Sequence, residues 1–188
     1  EEPVVDETSV DIEKNALNQL TLRPVAGYGL VGTSSKKVRY AEKGTGHIYE
    51  INLETGAEEQ LSITTTARTV QAFFSPSAQS VVLVQETDAE PVAIFAQISS
   101  SSQTNLETTS LPQGIGNIVL KNDTTVHYLK ATTTGSTGVA YNVFSGTETI
   151  LFTSPFTDIT TLWEGDTLYV YNKPAPALIG GLFKVVEK

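Results

Sequence analysis

Apolar and polar residues alternate with a period of two along most of this chain, in short runs broken by glycine, asparagine, serine and proline. Residues 38–62, VRYAEKGTGHIYEINLETGAEEQLS, show the pattern: an alternating run, a glycine-flanked turn, a second run, a Thr-Gly turn and a third, more polar run. Period-two alternation places side chains on the two faces of a pleated strand, so the segment predicts antiparallel strands folding back twice.

The same manoeuvre recurs. Strands that follow a first turn begin near Val38, Val81, Val126 and Leu168, at intervals of 43, 45 and 42 residues. Each is preceded by a candidate inner strand: GYGLVG (27–32), VQAFFS (70–75), GNIVLK (116–121) and DITTLW (158–163). Third strands read HIYEINL, PVAIFAQI, VAYNVF and GLFKVV, and polar outer strands read EEQLSI, NLETTSL and TETILFT. A repeat of this length built only of strands and turns predicts an all-β β-propeller with about four blades of four antiparallel strands. The expected blades cover 25–63, 68–111, 114–153 and 156–188, within a repeat region of 17–188 that follows an acidic linker or tail at 1–16. The fourth unit has no outer strand of its own. LNQLTLRP (17–24) resembles one, so residues 19–24 either complete blade four and close a small ring or end an earlier blade of a larger propeller. In the open case, self-association is expected.

SVDIEKNAL (9–17) suggests a short helix, NKPAPALIGG (172–181) a long loop, and the Ser/Thr/Gly-rich stretches 98–114 and 131–138 surface connections.

AFFSPSAQSVVLVQE (72–86) and GHIYEINLETGAEEQLS (46–62) resemble the repeat of the TolB-like propellers, a WD-type arrangement in which an inner strand runs into Ser-Pro-Asp-Gly-Lys before an apolar strand. Ser77, Ala78 and Gln79 stand where Asp, Gly and Lys are usual, which predicts a longer or looser turn made without glycine. The pattern is also similar to exported bacterial propellers whose repeats follow a membrane anchor and a polar linker, and this implies an extracytoplasmic location. Propellers host binding modules and several enzyme classes, so the resemblance implies a fold and not an activity.

Charge narrows the partners. Twelve Lys and Arg against 21 Asp and Glu give a net charge of −9, which repels phosphate backbones and argues against nucleic acid. Residues 1–14 contribute −5 of it through six acids and Lys14, as a solvated arm does. Without cysteine there is no disulfide framework and no thiol nucleophile. No run approaches the 18 or more apolar residues of a membrane span. The chain has no methionine, so Glu1 is not a translation start, and a signal sequence or membrane anchor upstream is an expectation.

No constellation predicts catalysis. His47 and His127 fall on different strands of different blades, with no metal-ligand spacing around them. No G-x-S-x-G occurs, and Glu58/Glu59 and Asp88/Glu90 read as solvated rim. NDT at 122–124 fits a hairpin turn better than a glycan acceptor. Most aromatics occupy strand positions where blades pack. Trp163, just before the EGDT turn, and Arg68, before blade two, are the candidates for a binding surface. The expectation is a non-catalytic, cofactor-free propeller that binds a protein or glycan partner. The alternatives are a part of a surface assembly, or a piece of a propeller hydrolase whose site lies in other blades.

Overall fold

A computed structural model describes residues 18–32, 36–164, 167–174 and 179–186, so the acidic arm and the helix expected at 9–17 lie outside the described residues. The described residues form strands and no helix. Blade one comprises β1 (Val25–Leu30), β2 (Lys37–Glu42), β3 (Ile48–Asn52) and β4 (Glu58–Gln60); blade two comprises β5 (Thr69–Phe74), β6 (Ser80–Gln85), β7 (Val92–Gln97) and β8 (Glu107–Ser110). Blade three comprises β9 (Ile115–Leu120), β10 (Thr125–Thr132), β11 (Gly135–Asn142) and β12 (Thr147–Ser154), and blade four comprises β13 (Ile159–Glu164), β14 (Thr167–Asn172) and β15 (Gly181–Lys184). Every sheet is an antiparallel meander in chain order, the arrangement of a four-blade β-propeller.

The inner strands run side by side in one direction. Gly27 of β1 abuts Ala72 of β5, and Gly29 abuts Phe74 two residues on. A Cβ at Gly27 would lie 2.0 Å from the Ala72 carbonyl oxygen, so glycine is what lets these two backbones touch. Alternation then sorts the apolar residues between blades. Ala41, Ile48 and Leu61 pack on Val81, Leu83 and Ala96; Val82, Val84 and Phe95 pack on Leu120, Val126 and Tyr128; Leu151 and Phe152 pack on Ile159, Leu168 and Val170. The interior is therefore a series of blade interfaces, and each blade buries its apolar faces chiefly against its neighbours. Tyr28, on the face of blade one turned away from blade two, stays 70% exposed, and Leu162, on the face of blade four turned away from blade three, 58%.

Two expectations are corrected. Residues 19–24 form no strand and do not complete blade four. They cross blade one instead: Thr21 Oγ1 donates to Glu58 (3.0 Å), and Arg23 reaches Glu42 (3.1 Å) and stacks 4.4 Å above the Tyr49 ring. One guanidinium thus serves two carboxylates and an aromatic face of blade one. Residues 131–138 are not a loose connection but the tip of the long β10–β11 hairpin, paired from Ala131↔Ser136 onward. Threonine-rich sequence suits an extended strand, and Ser136 is buried beneath the chain turn that leads into blade four.

Candidate functional site

The turns between first and second strands gather at one face of the propeller. In blade two, Ala78 takes a left-handed conformation (φ 55°) while its N–H donates to Ser75 O (2.8 Å), and Ser75 N–H donates to Ser80 O (2.9 Å). The turn is therefore compact and not loosened by the lack of glycine; alanine carries the strain because its methyl group is fully buried. Asp123, from the turn of the next blade, accepts hydrogen bonds from Ser75 Oγ (2.5 Å), Ser77 Oγ and Ser80 Oγ (3.4 Å). A carboxylate supplied by blade three thus occupies the place beside the Ser-Pro turn and ties the two blades at this face. Asn122 accepts from the N–H groups of Thr124 and Thr125 (both 2.9 Å), which makes NDT an Asx turn, as its spacing predicts.

Lys121, which enters the same turn, reaches toward blade four. Its ammonium lies 4.6 Å from the centroid of the Trp163 ring, and His127 stacks on that ring at 4.5 Å with a 33° tilt. Beneath them Thr161 Oγ1 donates to Asn117 Oδ1 (3.2 Å) across the blade interface. His127 Nδ1 and Trp163 Nε1 are both buried without a hydrogen-bond partner. Two orphaned polar atoms side by side are unusual in a packed interface, where such groups are nearly always satisfied. Burial, then the Lys121 charge, lowers the His127 pKa to about 4, so the ring is neutral at pH 7.

A depressed histidine pKa adds stability above the unfolded value near 6.5 that is lost as pH falls toward 4. Unfolding free energy should therefore drop between pH 7 and pH 4.5 by about 1–2 kcal/mol more in the native chain than in His127→Gln, after allowance for screening. Urea unfolding at the two pH values measures this; equal drops would refute it.

Arg68 lies at the other face. It immediately precedes β5, in a left-handed conformation (φ 59°), whereas Trp163 is near the end of β13. Because the inner strands run in one direction, the strand length and an intervening blade separate the two candidates, and they form no common surface. Arg68 Nη1 pairs with Asp88 (3.0 Å) in solvent, an interaction that contributes little. On that face the Thr45 hydroxyl, together with the Arg23 guanidinium, outweighs burial and holds Glu42 below the usual carboxylate range. His47 Nε2 lies 3.0 Å from the Thr65 hydroxyl. No group of three or more His, Asp or Glu among the described residues has the arrangement of a metal site.

Sequence reasoning singled out Trp163 and did not name its companions. Lys121 was read as the end of an inner strand, Asp123 as part of a hairpin turn and His127 as structural; the pairing of β9 with β10 and the turn between them bring these three to the blade interfaces.

No family model matches the chain, and no curated protein matches it. Solved structures do. TolB from Acinetobacter baumannii superposes with a TM-score of 0.57 at 16% identity, over 87% of this chain and 41% of TolB. The β-propeller domain of the Trilobed protease from Pyrococcus furiosus gives 0.53 at 14% identity, over 87% of this chain and 58% of that one. An acylaminoacyl peptidase from Pyrococcus horikoshii gives 0.54 at 12% identity, over 88% and 32%. The likeness shows the fold, a β-propeller like that of TolB, and the chain spans well under two thirds of each of these proteins.

Proposed function

We propose that this chain is a non-catalytic β-propeller binding and scaffold domain, working outside the cytoplasm, that holds a protein or glycan partner at the face carrying Trp163. The observation that carries this reading is the Lys121–Trp163–His127 stack at the rim of the blade three–four interface. An aromatic ring with a cation on one side and a neutral imidazole packed against it offers a partner flat apolar area, and the Asp123 serine clamp next to it holds the turns in place. A rigid aromatic ring such as that of Trp163 anchors binding surfaces because little entropy is lost in fixing it. The acidic, Ser/Thr-rich, lysine-poor composition suits an exported protein.

Trp163 is the only tryptophan, so its emission reports the blade three–four interface and the face at its rim. Titration with a panel of oligosaccharides and peptides should give a saturable emission change for the cognate class, weakened about tenfold by Lys121→Ala. Ligands that bind the protein yet leave the emission unchanged would move the site elsewhere. The propellers of the Trilobed protease and the acylaminoacyl peptidase support a second reading, in which the blades belong to a hydrolase whose chemistry lies in another part of the protein. Turnover of aminoacyl anilides by the full-length protein, with none by this chain alone, would favour it.

A further inference from the structure

Blade four differs from the other three in one respect: among the described residues its sheet has three strands, and β15 is an edge. Beside that edge a groove of about 340 Å³ opens between blades three and four. Leu151, Phe152 and Phe156 line one side and Phe183, Val185 and Val186 the other. It continues the established apolar interface of the two blades, since Phe152, Phe156 and Val185 also pack on Ile159, Leu168 and Val170. From the geometry we infer that blade four accepts an extended strand of a partner polypeptide, which pairs with β15 and sets an aliphatic side chain in this groove. The inference rests on the reading of the chain as a binding domain and specifies a second partner class at a separate place.

The backbone is arranged for it. Val185 N–H donates to Leu168 O (2.9 Å), and antiparallel pairing sends alternate residues to opposite sides. The N–H groups of Phe183 and Val185 therefore turn toward β14, and those of Leu182 and Lys184 toward the free edge. Leu182 and Lys184 are both exposed. An unpaired edge of this kind is a template for strand addition, with main-chain bonds giving affinity and side-chain pockets giving selectivity.

The other blades show what the occupant looks like. In blade two Leu106, just before the outer strand β8, is buried against blade one, and the corresponding place in blade four is the groove. The outer strands that fill this position elsewhere each carry glutamate: Glu58 and Glu59 in β4, Glu107 in β8, Glu148 in β12. In blade three Glu148 pairs with Lys130 (2.6 Å). Blade four offers Lys184 on β15, the edge strand among the described residues, a cation suited to an acidic strand. The occupant is thus an extended segment with an aliphatic residue followed by an acid.

The probe is a labelled synthetic peptide, TNLETTSLP, which copies residues 104–112. Anisotropy should show saturable binding that a scrambled peptide lacks. Binding should weaken at least about tenfold in Leu182→Pro, which removes an outward N–H at an edge that tolerates proline, and several-fold when the glutamate of the peptide becomes lysine. Amide exchange on the unmodified protein gives a test free of folding defects: the Leu182 and Lys184 amides should exchange freely alone and become protected with peptide. Absence of binding overturns the inference. So does protection of those amides without peptide, which would mean that residues of the chain itself fill the edge, or protection that grows with protein concentration, which would make a second copy the donor. Protection of the Leu182 and Lys184 amides reads this edge, and the sensitivity of binding to Lys121→Ala reads the other face, so failure of the strand test and failure of the proposed function are separable.

Discussion

Glu50→Ala should lower the unfolding free energy by about 3–5 kcal/mol, because it leaves the Arg39 guanidinium buried without its anion. Arg39 and Glu50 face each other across β2 and β3, with Nε donating to Oε2 at 2.9 Å, and both are buried. Arg39 Nη1 also donates to Ala78 O (2.8 Å), so the pair ties blade one to the strained turn of blade two. Without Glu50, the guanidinium keeps the Ala78 carbonyl and a long contact of 3.4 Å to Gln79 Oε1. The converse double change, Arg39→Met with Glu50→Leu, should recover most of the loss, since a buried ion pair exchanged for apolar residues of similar volume is often neutral or better. Equilibrium unfolding in urea decides it: a loss below about 1 kcal/mol for Glu50→Ala would show that water reaches the guanidinium. The pair also has a pH signature. Burial alone would raise the Glu50 pKa, but Lys37 and Arg39 outweigh it and hold the carboxyl below its usual range. A depressed carboxylate contributes stability that is present above the unfolded pKa and is lost as pH falls through the folded value, so this tie weakens in acid.

The blades were legible because they depend on short-range order. Alternation fixes which residues face a neighbouring sheet, and Val38, Val81, Val126 and Leu168 do begin or adjoin the second strands β2, β6, β10 and β14. Side-chain partnerships across strands and between blades were not legible in the same way. Arg39 and Glu50 stand eleven positions apart in sequence, and nothing in their spacing shows that register will set them opposite one another. Asp123 reaches Ser75 from 48 residues away, so the turn read as deficient in its own aspartate is in fact served by the next blade. Arg68 and Trp163 were paired because both adjoin inner strands, and the common direction of those strands is what puts them on opposite faces. Residues 19–24 misled for a related reason. Their alternation resembles an outer strand, but Arg23 finds Glu42, Glu58 and Tyr49 on the nearest blade, and those contacts are available without crossing the molecule.

Phe95→Ala should cost about 3–5 kcal/mol and, more tellingly, should split a single unfolding transition into two. Phe95 lies in β7, 2% exposed, in the apolar cluster that joins blades two and three. Its ring meets Phe144 of blade three edge-on at 6.5 Å, and Val82, Val126 and Tyr128 belong to the same cluster. Truncation removes the largest fully buried side chain that blade two contributes to this interface and leaves a cavity between two sheets that their own strand ladders hold rigid, so collapse can fill it only in part. In a structure whose stability is a sum of blade and nearest-neighbour terms, weakening one central interface uncouples the elements on either side. Blades one and two keep the cluster around Ala41, Ile48 and Leu83, and blades three and four keep the cluster around Ile159, Leu168 and Val170. Two probes separate the halves. Trp163 emission reports blades three and four, whereas far-ultraviolet circular dichroism reports all the strands. In the native chain the two urea transitions should coincide; in Phe95→Ala the emission and dichroism midpoints should part. Coincident midpoints at lowered stability would mean that the remaining contacts between blades two and three, such as the Asp123 clamp on Ser75, suffice to keep the four blades cooperative.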